Sequence, residues 1–286
     1  MARVLKGLPV AQAMGERLAV RVEALAKQGL TPTLAIIRVG ERSDDLAYER
    51  GACKRCDSLG IDVRRIVLPV ECAQQELMDA IESVNADDTI QGCLMLRPLP
   101  STLDEVAACA ALDPAKDVDC ATEGSLYGVF AGEPVGFPPC TAEACVELLE
   151  HYGYELEGAD ICVVGRSLVI GKPVSMMLQA KNATVTMCHT RTRDLAAKCR
   201  AADVLIVAAG HIGTVGADAV RPGQVVVDVG INWDDEANRL VGDVDYQGVE
   251  GIVDAVTPVP GGVGSVTTAV LAKHVVEAAE VALALR

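Results

Sequence analysis

VVGRSLVIGKP, at residues 163–173, gives the clearest indication of how this chain folds. It continues the apolar run Ile161–Val164 and leads into a segment with helical spacing, which predicts a strand, a glycine turn and a helix. Gly165 and Gly171 allow the backbone to approach a ligand, and the first amides of the helix can bind a phosphate. The stretch fits neither the Walker pattern nor the strict G-x-G-x-x-G pattern. From these residues alone, a nucleotide-binding turn and an ordinary strand-to-helix loop both remain open.

Short apolar runs alternate with amphipathic segments on both sides of this stretch. The predicted strands are 33–39, 61–68, 90–96, 161–164, 184–188, 204–208 and 225–229. The predicted helices are 9–28, 45–59, 74–84, 141–152, 173–181 and 193–201, with a last helix that ends at Arg286. Strand and helix in alternation predict parallel sheets with helical crossovers. We therefore expect a two-domain α/β protein, one domain with a parallel sheet and one Rossmann-like, with a cleft between them.

The segment 113–140 is rich in glycine, proline and acidic residues, and it predicts a loop that joins the two domains. The expected domains are residues 1–139 and residues 140–266. The apolar C-terminal helix, residues 267–286, is expected to pack against the first domain and complete it.

The composition excludes several classes of function. The chain has 286 residues and a net charge of -15, which argues against nucleic acid and anionic membranes as partners. The N-terminus is too charged for a signal sequence, and no apolar run reaches the roughly 18 residues of a membrane span. We expect a soluble, cytoplasmic protein.

Eleven cysteines lie mostly singly in apolar or helical segments, which is typical of buried reduced thiols. Cys53 and Cys56 form a CxxC pair, but no second pair follows at zinc-ribbon spacing. We expect no metal site.

The end of the strand at 184–188 bears on the choice of cofactor. In dinucleotide-binding folds an acidic residue at this place binds the ribose of NAD. Here the strand is followed by His189-Thr190-Arg191-Thr192-Arg193, without an acid. Arginines and hydroxyls suit a 2′-phosphate, so with Arg166 in the glycine turn the sequence favours NADP. Alternatively, Arg191 and Arg193 begin the next helix on a solvated face, and His189 makes only a structural hydrogen bond.

Seven motifs, spread over nearly the whole chain, resemble those of the methylenetetrahydrofolate dehydrogenase/methenyltetrahydrofolate cyclohydrolase family. They are RPLP at 97–100, KDVD at 116–119, PPCT at 138–141, VVGRSLVIGKP at 163–173, ATVTMCHTRT at 183–192, VVDVGIN at 226–232 and TPVPGGVG at 257–264. The resemblance implies oxidation of methylene- to methenyltetrahydrofolate with NADP, commonly followed by hydrolysis to formyltetrahydrofolate. Tetrahydrofolate one-carbon derivatives are then the substrates. The first domain is expected to bind folate and the second NADP, in a homodimer.

The resemblance also implies roles for individual residues. Tyr48 is expected to lie against the folate and Asp119 to hold the amino edge of the pterin, so we take both as catalytic and substrate-binding residues. Pro260, Gly261 and Gly262 are expected beside the substrate. The implied cofactor-binding residues are Gly165, Arg166, Ser167, Gly171, Pro173, His189, Thr190, Arg191 and Ile231.

Two positions depart from the family where hydrolysis is concerned. Relatives with cyclohydrolase activity carry a lysine four residues after the tyrosine and a glutamine before the LPLP turn, where this chain has Ala52 and Leu96. Hydrolysis moves protons and needs an acid or base. Lys54 lies about 200° around the helix from Ala52, and Arg97 stays protonated. We therefore expect a dehydrogenase whose cyclohydrolase activity is weak, absent or carried by a different group. The loop after KDVD differs as well, with Cys120 in place of a glycine.

Two alternatives to this function remain open from the sequence. The chain could be a related dehydrogenase of another small substrate, or a non-catalytic NADP-binding module. The TPVPGGVG stretch argues against the first, and retention of Tyr48 and Asp119 argues against the second.

Overall fold

The computed structural model describes residues 1–235 and 238–285 of the chain. The strands are β1 Arg3–Val4, β2 Thr33–Val39, β3 Asp62–Leu68, β4 Gly92–Met95, β5 Asp160–Val164, β6 Thr184–Cys188, β7 Val204–Val207, β8 Val225–Asp228, β9 Asn232–Asp234, β10 Arg239–Val241 and β11 Ala255–Val256. The helices are α1 Gly7–Lys27, α2 Ser43–Leu59, α3 Gln74–Ala86, α4 Glu105–Ala111, α5 Glu123–Ala131, α6 Cys140–His151, α7 Gly171–Ala180, α8 Leu195–Ala201, α9 Tyr246–Val249 and α10 Thr267–Ala284.

The first compact unit, the three-stranded unit, comprises Ala13–Cys140 and the chain from Thr268 onward. Its sheet has the parallel order β3-β2-β4. The central strand β2 is buried along its whole length, as expected for a parallel strand covered on both faces. Its Ala35, Ile37 and Val39 belong to an apolar cluster with residues of α3 and α4.

The second compact unit, the six-stranded unit, comprises Met1–Gln12 and Thr141–Thr267. Its parallel sheet has the order β1-β11-β8-β7-β5-β6. Strands β5, β7 and β8 supply buried valines, a leucine and a cysteine to the core. Since all strands run the same way, the loops that follow β5, β6, β7 and β8 lie along one edge, where open α/β sheets bind ligands.

The predicted alternation of strands and helices is confirmed, and β2 and β6 have the predicted bounds. The prediction of a loop through 113–140 is wrong, because α5 lies within it. Thr122 caps α5 by accepting a hydrogen bond from the amide of Ser125 at 3.0 Å, and Gly132, with φ 69°, ends it. The predicted end of the last helix, Arg286, lies outside the described residues.

The N-terminal segment groups differently from the expected domain at residues 1–139. Residues 1–12 belong to the six-stranded unit, since β1 pairs in parallel with β11.

Within the described residues, no helix is both long and apolar enough to span a membrane. All eleven cysteines are free thiols; ten are buried, and Cys53 is partly buried.

Candidate active site

Helix α2 carries Tyr48 and the position of the missing lysine. The helix is regular from Ser43 to Leu59 and ends before Gly60, whose φ of 73° is left-handed. Tyr48 is half-buried, and Ala52, one turn further on, is fully buried. Lys54 is exposed. The helix is therefore not turned in the way that would bring Lys54 to the face of Tyr48.

The hydroxyl of Tyr48 is held in its neutral form. Burial raises its pKa well above the ordinary tyrosine value, and the nearby Asp119 carboxylate and Cys140 thiol raise it further. A tyrosine in this state donates a hydrogen bond and does not act as a base near neutral pH.

The first two residues of KDVD have structural roles. Lys116 Nζ donates to three carbonyl oxygens near the end of α3, within residues 84–87, at 2.7 to 2.9 Å. Asp117 is fully buried and accepts from two amides and a hydroxyl of residues 121–125, at 2.6 to 2.8 Å. Lys116 and Asp117 thus fix the loop on both sides of Asp119.

Asp119, the last residue of the motif, is half-buried, and its Oδ1 accepts from the amide of Cys140 at 3.0 Å. Burial raises the pKa of Asp119, while the Cys140 amide and thiol and the His274 ring oppose that rise. The next residue, Cys120, has φ 58°, in the left-handed region that a glycine would suit. The loop therefore keeps a glycine-like backbone despite the cysteine.

A buried ion pair joins β2 to α2, the helix that carries Tyr48. Arg38 Nε, near the end of β2, donates to Glu49 Oε2 at 2.6 Å, and both residues are buried. The amide of Leu96, the residue after β4, donates to the carbonyl of Ile37 at 2.9 Å, so Leu96 lies beside the same end of β2. Sequence patterns did not single out this pair, although an arginine inside the apolar run TLAIIRV was a usable signal.

Arg97 does not replace the missing glutamine. Its Nη1 lies 3.8 Å from Glu105 Oε1 and 4.0 Å from Cys109 Sγ, so the guanidinium is directed towards α4. Leu96 itself is buried. The two positions that depart from the family, Ala52 and Leu96, are thus apolar and enclosed.

The glycine turn of the six-stranded unit has the predicted strand-turn-helix form. Gly165 has φ 145°, a backbone conformation that favours glycine, and its amide donates to the carbonyl of Cys188 at 2.9 Å. Ser167 Oγ accepts from the amide of Ile170 at 3.1 Å and so shapes the turn before α7. Arg166 and Ser167 are exposed, whereas Gly171 and Pro173 are buried.

The end of β6 forms a compact turn beside the glycine turn. His189 Nδ1 accepts from the amide of Arg191 at 3.1 Å, and the amide of His189 donates to Thr192 Oγ1 at 2.8 Å. Thr190, Arg191 and Arg193 are exposed. His189 therefore makes the structural hydrogen bond that the sequence allowed for it. Arg191 and Arg193 stay exposed at the edge of the sheet where ligands bind.

Two buried aspartates that the sequence did not indicate organise the neighbouring loops. Asp243 is fully buried, and its carboxylate accepts from the three consecutive amides of residues 209–211 at 2.6 to 2.9 Å. Its Oδ1 also accepts from Asn232 Nδ2 at 2.8 Å. One carboxylate therefore joins the loop after β7 to the turn after β8.

Asp228, at the end of β8, accepts from the amides of Gly230, Asp243 and Val244, each at 3.0 Å. Burial raises its pKa to about 6, against the effect of these three amides. Ile231, which is exposed, lies between Gly230, held by Asp228, and Asn232, held by Asp243.

The PVPGG loop lies near this turn. A cavity of about 250 Å³ in the six-stranded unit is lined by residues 228–231, Leu240 and residues 258–265. The structure therefore brings Ile231 together with Pro260, Gly261 and Gly262. Gly261 has φ 100°, and its carbonyl accepts from the amide of Gly7 at 2.8 Å.

Two family models match the chain in succession. The tetrahydrofolate dehydrogenase/cyclohydrolase catalytic domain matches residues 5–119, and the NAD(P)-binding domain of the same family matches residues 139–283. The bifunctional protein FolD of Carboxydothermus hydrogenoformans is 50% identical over 282 residues, 98% of each chain. That of Clostridioides difficile is 49% identical over 276 residues, 96% of each chain.

Solved structures of proteins of the same family are similar to this chain over nearly its whole length. The bifunctional FolD methylenetetrahydrofolate dehydrogenase/cyclohydrolase of Campylobacter jejuni has a TM-score of 0.94 and 35% identity, and the match covers 98% of this chain and 99% of that one. The Trypanosoma brucei FolD, complexed with NADP cofactor and inhibitor, has a TM-score of 0.91 and 32% identity, over 100% and 99% of the two chains.

Proposed function

Because the chain belongs to the tetrahydrofolate dehydrogenase/cyclohydrolase family, we propose that it oxidises methylenetetrahydrofolate to methenyltetrahydrofolate with NADP as hydride acceptor. The observation that carries the proposal lies in the three-stranded unit. There the neutral hydroxyl of Tyr48 lies within electrostatic range of Asp119, whose carboxylate is oriented by the Cys140 amide. Family membership over the whole chain does not favour the alternative of a diverged relative acting on another substrate.

The chemistry of these two residues suits the dehydrogenase step. Loss of hydride from the methylene carbon leaves a delocalised cation, so the step depends on orientation and needs no strong base. A carboxylate accepts hydrogen bonds from paired N–H donors, as on the amino edge of a pterin, which is the role proposed for Asp119. Tyr48 is proposed to lie against the folate and to donate through its protonated hydroxyl.

The cofactor is proposed to bind at the ligand edge of the six-stranded unit. NADP supplies the hydride acceptor when it is bound. A side chain at Gly165 would meet the carbonyl oxygen of Ala208, and one at Gly171 would meet that of Gly165, so both glycines are needed for this tight turn. Exposed Arg166 and Arg191 on neighbouring turns suit the 2′-phosphate. The other residues proposed for this site are Ser167, Pro173, His189, Thr190 and Ile231. The NADP complex of the Trypanosoma brucei relative supports this choice of cofactor.

Hydrolysis of methenyltetrahydrofolate is the family's second activity, and the curated relatives are named bifunctional. In this chain we propose that it is weak or depends on a different group. Ala52 and Leu96 are buried apolar residues where an acid or base and its partner would be needed.

The wider assignments follow the same resemblance. We propose that the three-stranded unit is the folate-binding domain and the six-stranded unit the NADP-binding domain, with Pro260, Gly261 and Gly262 contacting the substrate. We further propose a cytoplasmic homodimer. Trp233 and Leu240, exposed on the β9–β10 hairpin, offer an apolar surface for pairing.

The direct test is an assay of the purified protein. With methylenetetrahydrofolate and NADP together, NADPH should form at a rate far above that of either compound alone. Absence of NADPH formation with correctly folded protein would refute the dehydrogenase. Loss of most activity in both Tyr48→Phe and Asp119→Asn, with NADP binding retained, would support their roles.

A further inference from the structure

A histidine lies buried behind Asp119, on helix α10. His274 is 1% exposed, and its Nδ1 lies 2.8 Å from the carbonyl oxygen of Val118, the residue before Asp119. A carbonyl oxygen carries no proton, so Nδ1 must be protonated and must donate. The contact therefore fixes the tautomer of the ring and holds the peptide group that joins Val118 to Asp119.

Cys140 completes the contacts around this peptide group. Its Sγ lies 3.4 Å from the same Val118 oxygen and 3.8 Å from His274 Nδ1, while its amide donates to Asp119 Oδ1 at 3.0 Å. The backbone before Asp119 and the carboxylate of Asp119 are thus held by two neighbouring residues.

The orientation of the histidine ring is fixed as well. Phe137 stacks on it, with ring centroids 5.0 Å apart and an angle of 29° between the planes. The neighbours of His274 on α10 are mostly buried and apolar, as Val270, Leu271 and Val275 show. A polar ring in such surroundings costs free energy unless it makes hydrogen bonds, and the contact with Val118 offsets part of that cost.

We propose that His274 is a positioning residue for the dehydrogenase, holding Asp119 in the direction needed to bind the folate ring. The inference rests on the proposed role of Asp119. The hydrogen bond to Val118 fixes the peptide plane from which the Asp119 side chain starts, and small displacements of a binding group reduce productive orientation. His274 acts through Asp119 and is not itself a catalytic residue.

The test compares His274→Asn with His274→Leu, because the asparagine and leucine side chains have nearly the same size and shape. The amide nitrogen of asparagine can take the place of Nδ1 and donate to Val118, whereas leucine cannot. We expect the KM for methylenetetrahydrofolate to rise about tenfold in the leucine variant, the effect of one lost hydrogen bond. The asparagine variant should stay within about twofold of the wild type, by the same reasoning. The KM for NADP should be unchanged in both.

A double-mutant cycle with Asp119→Asn separates positioning from general packing. If His274 acts through Asp119, His274→Leu should add little to the loss already caused by Asp119→Asn. Additive effects, a leucine variant equal to the wild type, or equal impairment by asparagine and leucine would each overturn the proposal.

A substitute variant and the activity of the wild type separate failure of the positioning role from failure of the proposed function. If His274→Leu does not fold, His274→Gln takes its place, because its amide nitrogen lies one bond beyond the position of Nδ1; a glutamine variant equal to His274→Asn would then overturn the proposal. Wild-type protein that forms no NADPH would refute the proposed function itself. Wild-type activity that His274→Leu leaves unaltered would refute the positioning role alone.

Discussion

Arg38 and Glu49 form a buried ion pair, with Arg38 Nε 2.6 Å from Glu49 Oε2 and side chains only 8% and 7% exposed. The pair joins the end of β2 to helix α2, one residue after Tyr48. Arg65 Nη1 lies 3.9 Å from Glu49 Oε1, but Arg65 is 65% exposed and its charge is screened by solvent. Removal of Arg38 takes the buried partner from Glu49, so Arg38→Met should lower the free energy of unfolding by about 3–5 kcal/mol.

The matched control removes both charges. Arg38→Met combined with Glu49→Leu should recover most of the lost stability, because no uncompensated charge then remains. Urea unfolding of the wild type, the single variants and the double variant measures the coupling. A double variant as unstable as the sum of the single variants would show that the pairing itself contributes nothing.

Asp119 should give the dehydrogenase a dependence on pH at the acid side. Burial raises its pKa from the ordinary value of 3.8, so the carboxylate begins to take up a proton, and to lose its acceptor function, at a higher pH than an exposed aspartate. We expect kcat/KM for methylenetetrahydrofolate to fall with decreasing pH above the usual aspartate range.

The Asp119→Asn variant is the control for that profile. Hydrogen bonds to charged groups contribute roughly 1.5–3 kcal/mol, so kcat/KM should fall by about 10- to 100-fold. The acid limb assigned to Asp119 should also be missing from its profile. An unchanged limb in this variant would assign the titration to another group.

Asp228 should make the stability of the six-stranded unit depend on pH. Its pKa is raised from 3.8 to about 6 in the folded chain, chiefly by burial, so the folded state binds the proton more readily than the unfolded state. Its contribution to stability is therefore complete below about pH 4 and is lost as the pH rises through about 6. A shift of about two pKa units corresponds to roughly 3 kcal/mol.

The comparison with Asp228→Asn isolates this effect. The stability of the wild type relative to the variant should decline by up to roughly 3 kcal/mol between about pH 4 and pH 8. Chemical unfolding of both proteins over that range measures the difference. A difference that is constant with pH contradicts the raised pKa.

Arg166 and Arg191 should determine the preference for NADP. Replacement of either by alanine should reduce kcat/KM with NADP by about 10- to 100-fold, because a charged contact to the 2′-phosphate is lost. Activity with NAD, which lacks that phosphate, should change little. Lys198→Ala removes an exposed positive charge from α8 and serves as the control. Equal losses with both cofactors would sink the phosphate assignment.

Lys54 should play no part in hydrolysis. Lys54 is exposed, whereas Ala52, two residues earlier on the same helix, is buried. With methenyltetrahydrofolate alone, we expect hydrolysis to be slow relative to the dehydrogenase and Lys54→Ala to hydrolyse at the wild-type rate. Fast hydrolysis that disappears in Lys54→Ala would show that this lysine is the acid or base.

Local patterns predicted seven of the strands and the longer helices, but not α4, α9 or the short strands β1, β9, β10 and β11. The apolar run Thr33–Val39 lies between Pro32 and Gly40, and the strand has those bounds. Helix α5 was missed because its glycines look like loop residues. Gly128 is buried against the backbone of Val135, a close approach that needs a residue without a side chain and that no local pattern reveals.

Some site residues could be recognised from the sequence, whereas others are brought together only by the fold. Tyr48 and Asp119 stand in recognisable motifs, so the sequence indicated them, although their roles stay predictions. Asp228 and Asp243 are fifteen positions apart, and their shared network depends on tertiary contacts. His274 is a lone histidine in an apolar helix, and only the fold brings it to Val118.

Alkylation of the buried cysteines can report local unfolding of the elements that contain them. Burial raises the pKa of Cys56, Cys93 and Cys145 to about 12, so these thiols are almost entirely protonated and enclosed. Alkylating reagents should reach Cys53 first, and the buried thiols only when the surrounding structure opens. Labelling rates followed by peptide mass would then give a separate opening free energy for α2, β4 and α6, without any added chromophore or substitution.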